Sequence, residues 1–154
     1  MDSMKAIEVF TEEIEFPWKD IDENWLIKIG ESICEKLLLS NVTISLIMTS
    51  NEYIKNINRD FRKKDTPTDV ISFAYREEPF PQAEEEIEEL GDIYISLERA
   101  LEQSVEYEVT LKEEVKRLLV HGILHLIGYD HETSPKDEET MRAKEDELFE
   151  SISI

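Results

Sequence analysis

Residues 41–48, NVTISLIM, alternate strictly: Val42, Ile44, Leu46 and Met48 fall on one face, and Thr43, Ser45 and Ile47 on the other. This is the clearest strand in the chain, and periods of three and four residues border it on both sides. Before it, Leu26, Ile29, Ile33 and Leu37 mark a helix over 24–38 with Asp22 as its cap. After it, Ser50 or Asn51 caps a short helix ending at Asn58, with Tyr53, Ile54 and Ile57 inward. Further strands are predicted at 5–10, 69–75 and 91–96. A polar turn spans 59–68, and an exposed, proline- and glutamate-bearing loop spans 76–90. Ser96 opens a helix to about 105, and Thr110 opens a long one to Ile127, with Gly128 as its left-handed stop. Ser134-Pro135 starts a last helix whose apolar residues are Met141, Ala143, Leu148 and Phe149. The order predicts an α+β fold, a small mixed sheet of roughly four strands packed with about five helices, in one domain over residues 1–154.

Composition narrows the function classes. The 154 residues are 40% hydrophobic, enough for a core, and carry 17 Lys+Arg against 37 Asp+Glu, a net charge of −20. Such a charge repels nucleic acid at long range. It is uneven, however: residues 51–76 hold six bases and four acids, whereas 77–92 hold eight acids and no base. A local basic patch inside an acidic molecule is therefore expected. The longest uncharged stretch, 37–51, has 15 residues and is polar, too short to span a bilayer. The N-terminal residues are too charged for a signal peptide, and the one cysteine, Cys34, has no internal disulfide partner. A soluble cytoplasmic domain is the expectation, with no membrane partner.

All three histidines lie in one segment, HGILHLIGYDH, at His121, His125 and His131. Four residues apart on the long helix, His121 and His125 share a face with Cβ atoms roughly 6 Å apart. Gly128 ends that helix and lets the chain turn so that His131 approaches from another side. Three converging imidazoles with an empty fourth corner are the layout of a catalytic metal site. Without thiolates the set favours one zinc ion, with nickel, copper and iron as the other metals it would bind. Gly122, inside the helix, costs it about 1 kcal/mol relative to alanine, which makes sense if another segment or a substrate comes close there. Cys34 belongs to the first helix pattern, where burial is its expected role. The spacing H-x-x-x-H-x-x-G-x-x-H is that of the metzincin proteases, placed on a long helix and the loop after it. The glutamate that serves those enzymes as general base is replaced here by Gly122. Met141 sits in a helical pattern and reads as core rather than as a Met-turn. Asp130, beside His131, is a candidate partner for an imidazole, and Glu114, two turns before the histidines, has no assigned role.

With these residues read, the sequence resembles the YbeY family of bacterial-type endoribonucleases, or rRNA maturation factors. Three blocks carry the resemblance: HGILHLIGYDH (121–131), NRDFRKKDTPTDVISF (58–73) and GDIYIS (91–96). Ala74 stands where the family often has proline. The resemblance implies a metal-dependent RNase with a preference for single strands, acting in ribosomal RNA processing at the 3′ end of the small-subunit RNA and in ribosome quality control. Its partners would be ribosomal RNA, the small subunit or associated proteins, and not DNA. It also implies that His121, His125 and His131 are the zinc ligands and that Arg59 is a catalytic or RNA-binding residue.

Elementary chemistry is compatible with this. A guanidinium can bind two oxygens of a phosphodiester transition state in a fork, and Arg59 begins the basic cluster that continues through Arg62, Lys63 and Lys64. Phe61 in that cluster either stacks on a base or packs in the core. Attack by the RNA 2′-OH and attack by water are both open. Two other readings compete: a zinc hydrolase of another class, such as a peptidase, and a ribosome-assembly binding module in which metal only braces the fold. Gly122 argues against the peptidase, while the acidic charge suits the binding module.

Overall fold

A computed structural model describes residues 6–77, 87–129 and 134–154. Strand β1 (Ile7–Glu12) leads to helix α1 (Glu23–Lys36), then β2 (Val42–Thr49), α2 (Asn51–Arg62) and β3 (Val70–Ala74). A single 3-10 turn (Tyr75–Glu77) follows, then β4 (Glu88–Ser96), α3 (Leu97–Glu106), α4 (Leu111–Leu126) and α5 (Pro135–Ser151). The four strands form one mixed sheet in the order β1-β2-β4-β3, with β1, β2 and β4 parallel and β3 antiparallel at the edge. Helix starts follow the expected chemistry. The Asp22 carboxylate accepts from the Trp25 N–H, Ser50 from Tyr53, Ser96 from Arg99 and Ser134 from Asp137.

Three elements differ most from the sequence expectation. β1 runs to Glu12 rather than ending at residue 10, because Thr11 and Glu12 pair with Met48 and Thr49. β4 begins at Glu88, because Glu88 and Glu89 pair with Val42 and Thr43 and the Arg76 guanidinium holds the Glu88 carboxylate at 2.7 Å. Residues 78–86 of the expected loop lie outside the described residues. α2 extends four residues beyond Asn58, so Arg59 stands on a helix rather than in a turn. Asn58 points inward, 2% exposed, and its Nδ2 donates to the Thr66 carbonyl at 2.9 Å. The helix stops instead at Lys63, in the left-handed region at φ 58°. In α5, Ala143 faces solvent, while Met141 and Leu148 are buried.

The register decides which helix covers which face. Gly91, Ile93 and Ile95 of β4 pair with Ile44, Leu46 and Met48 of β2, and Ile44 pairs with Ile7. A Cβ at Gly122 of α4 would stand 3.0 Å from Ile93 Cγ2, and one at Gly30 of α1 2.6 Å from Ile7 Cγ1. Helices α1 and α4 therefore lie on this one face, over the main apolar core. Tyr94, the next residue of β4, points the other way and stacks on Tyr53 of α2 with ring centres 6.4 Å apart. Helix α2 thus covers the opposite face. The close approach that Gly122 implied is made by a strand of the sheet.

The structure gives Glu114, left without a role by the sequence, a place inside the fold. Glu114 of α4 is 1% exposed. Its carboxylate accepts from Arg117 Nε at 2.8 Å and Nη2 at 2.6 Å, and from Gln103 Nε2 of α3 at 2.5 Å. Gln103 also donates to Asp69, just before β3, at 3.2 Å. The cluster joins the entry of β3 to α3 and α4. Replacing Arg117 by methionine leaves a buried carboxylate without its cation. Such a loss costs about 3–5 kcal/mol when both partners are fully buried. Because the Arg117 side chain is 41% exposed, a loss of about 2–3 kcal/mol is expected by urea unfolding. A midpoint equal to that of the wild type would show that the cluster contributes nothing.

Candidate metal centre

The helix that carries the histidines is fixed at both ends. At its start, the Thr110 hydroxyl accepts from the Glu113 N–H and the Glu113 carboxylate accepts from the Thr110 N–H, a reciprocal capping box. At its end, Gly128 adopts φ 106°, and its N–H and that of Tyr129 close on the carbonyls of His125 and Leu124. Between them, Val115, Leu118, Leu119, Ile123 and Leu126 are buried. His121 and His125, each partly exposed, fall one turn apart on the rim of that buried stripe.

The two imidazole rings have their centres 5.2 Å apart, with planes inclined at 61°. A ring centre stands about 3.2 Å from an ion held by its nitrogen at ordinary zinc–nitrogen distance. Two such rings at a tetrahedral angle therefore have centres about 5.2 Å apart. The spacing of the ring centres leaves room for a shared ion. The third residue of the expected set, His131, and its neighbour Asp130 lie outside the described residues. Among the described residues, no group of three or more His, Cys, Asp or Glu side chains is placed to hold a metal. Cys34 is buried, as expected, and burial, reinforced by Glu31, pushes its thiol up to about 11.

One acid reaches this pair from far along the chain. Glu145 Oε1 of α5 lies 2.7 Å from His121 Nδ1. An ionised carboxylate only accepts, so this contact is a hydrogen bond in the tautomer that carries its proton on Nδ1. No sequence spacing revealed this partner, since 24 residues separate the two. The position of α5 is set by Met141, Leu148 and Ile152 in the core and by Lys116 of α4, whose ammonium donates to the carbonyls of Phe149 and Ile152.

Arg59 belongs to α2, the helix on the other face of the sheet from the histidine helix. Its side chain is 51% exposed, and its Nε donates to Asp60 at 3.2 Å. Phe61, the neighbouring aromatic, is 66% exposed and not a core residue; its ring meets Phe73 of β3 edge-on at 5.5 Å. Phe73 pairs with Asp92 and Ala74 with Gly91, the glycine against which Leu126 of α4 packs. Residues 72–74 of the edge strand are therefore flanked by the histidine helix on one face and by the Arg59 helix on the other.

A family model described as endoribonuclease YbeY matches residues 6–153. The chain belongs to the YbeY endoribonuclease family. Among curated relatives, the endoribonuclease YbeY of Sulfurihydrogenibium sp. is 46% identical, with 88% of this chain and 86% of that protein covered. That of Persephonella marina is 46% identical over 87% and 86%, and that of Aquifex aeolicus 41% over 88% and 84%. The solution structure of TM1509 from Thermotoga maritima superimposes with a TM-score of 0.62 at 30% identity, covering 94% of this chain and 87% of that one. Among the described residues, no helix is long and apolar enough to cross a membrane.

Proposed function

We propose that this chain, acting as one domain, is a zinc-dependent endoribonuclease that cleaves single-stranded RNA in the cytoplasm. Its role is processing of ribosomal RNA, at the 3′ end of the small-subunit RNA, and ribosome quality control. The small subunit and its proteins are the expected partners. The observation that carries this reading is the His121–His125 pair, set at tetrahedral spacing in a chain that belongs to this endoribonuclease family. His121, His125 and His131 hold one zinc ion, with His131 joining from the segment after Gly128. Zinc in that position supplies Lewis acidity and lowers the pKa of water toward ~7.

The remaining chemistry belongs to the chain. Among the described residues, Arg59 uses only its Nε, in an exposed pair with Asp60, an interaction worth at most about 1 kcal/mol. Its terminal nitrogens are thus available to grip phosphate oxygens in a fork. A single strand lying along β3, the edge strand among the described residues, would pass the histidine helix on one side and the Arg59 helix on the other. Gly122 leaves no carboxylate at the position of the metzincin general base, which argues for phosphodiester rather than peptide cleavage.

The test is elemental analysis of the purified protein with cleavage assays on single-stranded RNA and on casein. Zinc near one per chain with RNA cleavage supports the reading; casein cleavage with intact RNA overturns it. Arg59→Glu should keep the metal and lower RNA turnover by roughly 100-fold, because the reversed charge repels phosphate where a donor stabilised it. Normal turnover in Arg59→Glu would remove Arg59 from the site.

A further inference from the structure

We infer that Glu145 is a positioning residue for the metal centre: its carboxylate accepts the Nδ1–H of His121, fixes the ring's tautomer and orientation, and presents the Nε2 lone pair to the cation. The inference rests on the zinc centre proposed above and extends it to a residue of the C-terminal helix.

The placement of Glu145 is itself informative. Met141, Glu145 and Leu148 recur along α5 at helical spacing, and Met141 and Leu148 are 1% and 2% exposed; Ile152, just past the end of the helix, is 5% exposed. Glu145 therefore occupies the inward stripe of the helix, where leucine or methionine would pack without penalty. A carboxylate held against a core loses solvation, and this is tolerated where a specific hydrogen bond offsets it. Here that bond is the 2.7 Å contact with His121, between side chains 23% and 22% exposed. Glu145 also lines a pocket of about 240 Å³ with Arg117, Val120, Asp146 and Phe149. Glu145 thus contacts the imidazole and also borders a partly open pocket, which limits its desolvation. A histidine that holds a metal through one nitrogen and gives the proton of the other to a carboxylate is a better-oriented and more basic ligand. Lys116 and the buried apolar residues of α5 keep Glu145 at this distance, so the last helix of the chain acts on a site to which it lends no ligand.

Two measurements on the full chain test this. The first is zinc affinity, by competition with a chromophoric chelator, for wild type, Glu145→Ala and Glu145→Gln. The alanine variant should bind zinc roughly 10–100-fold more weakly, and the glutamine variant, which keeps an acceptor but not its charge, should fall between. The second is the tautomer of His121 in metal-free protein, from two-bond proton–nitrogen correlations. Wild type should carry the proton on Nδ1, and Glu145→Ala should shift it toward Nε2. A merely structural hydrogen bond would lower the melting temperature without changing zinc affinity, and that outcome overturns the inference. So does an unchanged tautomer in Glu145→Ala. Should the alanine variant fail to fold, Glu145→Gln decides, and zinc affinity equal to wild type overturns the inference. A wild-type chain that takes up no zinc fails the proposed function and this inference together; zinc uptake insensitive to Glu145 fails this inference alone.

Discussion

His125→Ala should leave a folded protein that no longer retains zinc through dialysis and cleaves single-stranded RNA at least about 100-fold more slowly. The fold should survive because His125 lies in the last turn of α4, partly exposed, and alanine is the best helix former. The metal should not survive. Losing one imidazole of three leaves two, and the ring centred 5.2 Å from His121 is the one fixed in place by the same rigid helix. The loss can be read without any activity assay. Zinc at 100 times its dissociation constant should stabilise the wild type by about 2.7 kcal/mol. At about 2–4 °C per kcal/mol for a chain of this size, that raises the melting temperature by about 5–10 °C. His125→Ala should show no such rise and should melt near the metal-free wild type. A variant that binds zinc and cleaves RNA as the wild type does would end the proposal that these histidines form the centre.

Much of this site is local in sequence and therefore legible there. Thr110, Glu113 and Gly128 act within one helical turn, so the bounds of α4, and with them the shared face of His121 and His125, follow from spacing alone. The succession of strands and helices was legible as an alternation of periods, but the order of the strands in the sheet was not. Nor was the start of β4, because that strand begins where backbone pairing with β2 begins, and the acidic Glu88 and Glu89 carry no strand signal of their own. Helix α2 runs past its expected end because Asn58 is buried to hold Thr66, a tertiary use that its polarity conceals. The long-range partners were invisible for the same reason. Glu145 meets His121 from another helix, and Glu114, which shows only an i,i+3 arginine in sequence, is buried because Gln103 reaches it from α3. Polarity places a residue near water by default. Only the packing of distant segments reveals the exceptions, and two of them, Glu114 and Lys116, lie on α4.

Gly91→Ala should be the most destabilising single substitution in the sheet, by about 4 kcal/mol or more. The sequence places this glycine in a strand pattern with no stated reason, and the structure supplies one. Thr43 pairs with Glu89 and Ile44 with Gly91, so Leu90 is an extra residue, and Gly91 adopts φ 149° at this irregularity. A Cβ there would lie 2.0 Å from the Phe73 carbonyl oxygen of β3 and 2.8 Å from Leu126 Cδ2 of α4. The second contact can yield by a side-chain rotation. The first is to backbone, and relieving it means parting β3 from β4 at the Ala74–Gly91 pair. By contrast, Gly128 at φ 106° has nothing within 4 Å of its would-be Cβ, so Gly128→Ala carries only the conformational term of about 1–2 kcal/mol. Thermal unfolding separates the two: about 8–16 °C or more for Gly91→Ala against about 2–8 °C for Gly128→Ala. The difference bears on function, because the close approach at Gly91 seats Leu126, the neighbour of His125, against the sheet. A Gly91→Ala protein that melts within 2 °C of the wild type, a margin of about 1 kcal/mol, would show that the strand pair yields freely. The bulge could then no longer be what holds the histidine helix against edge strand β3.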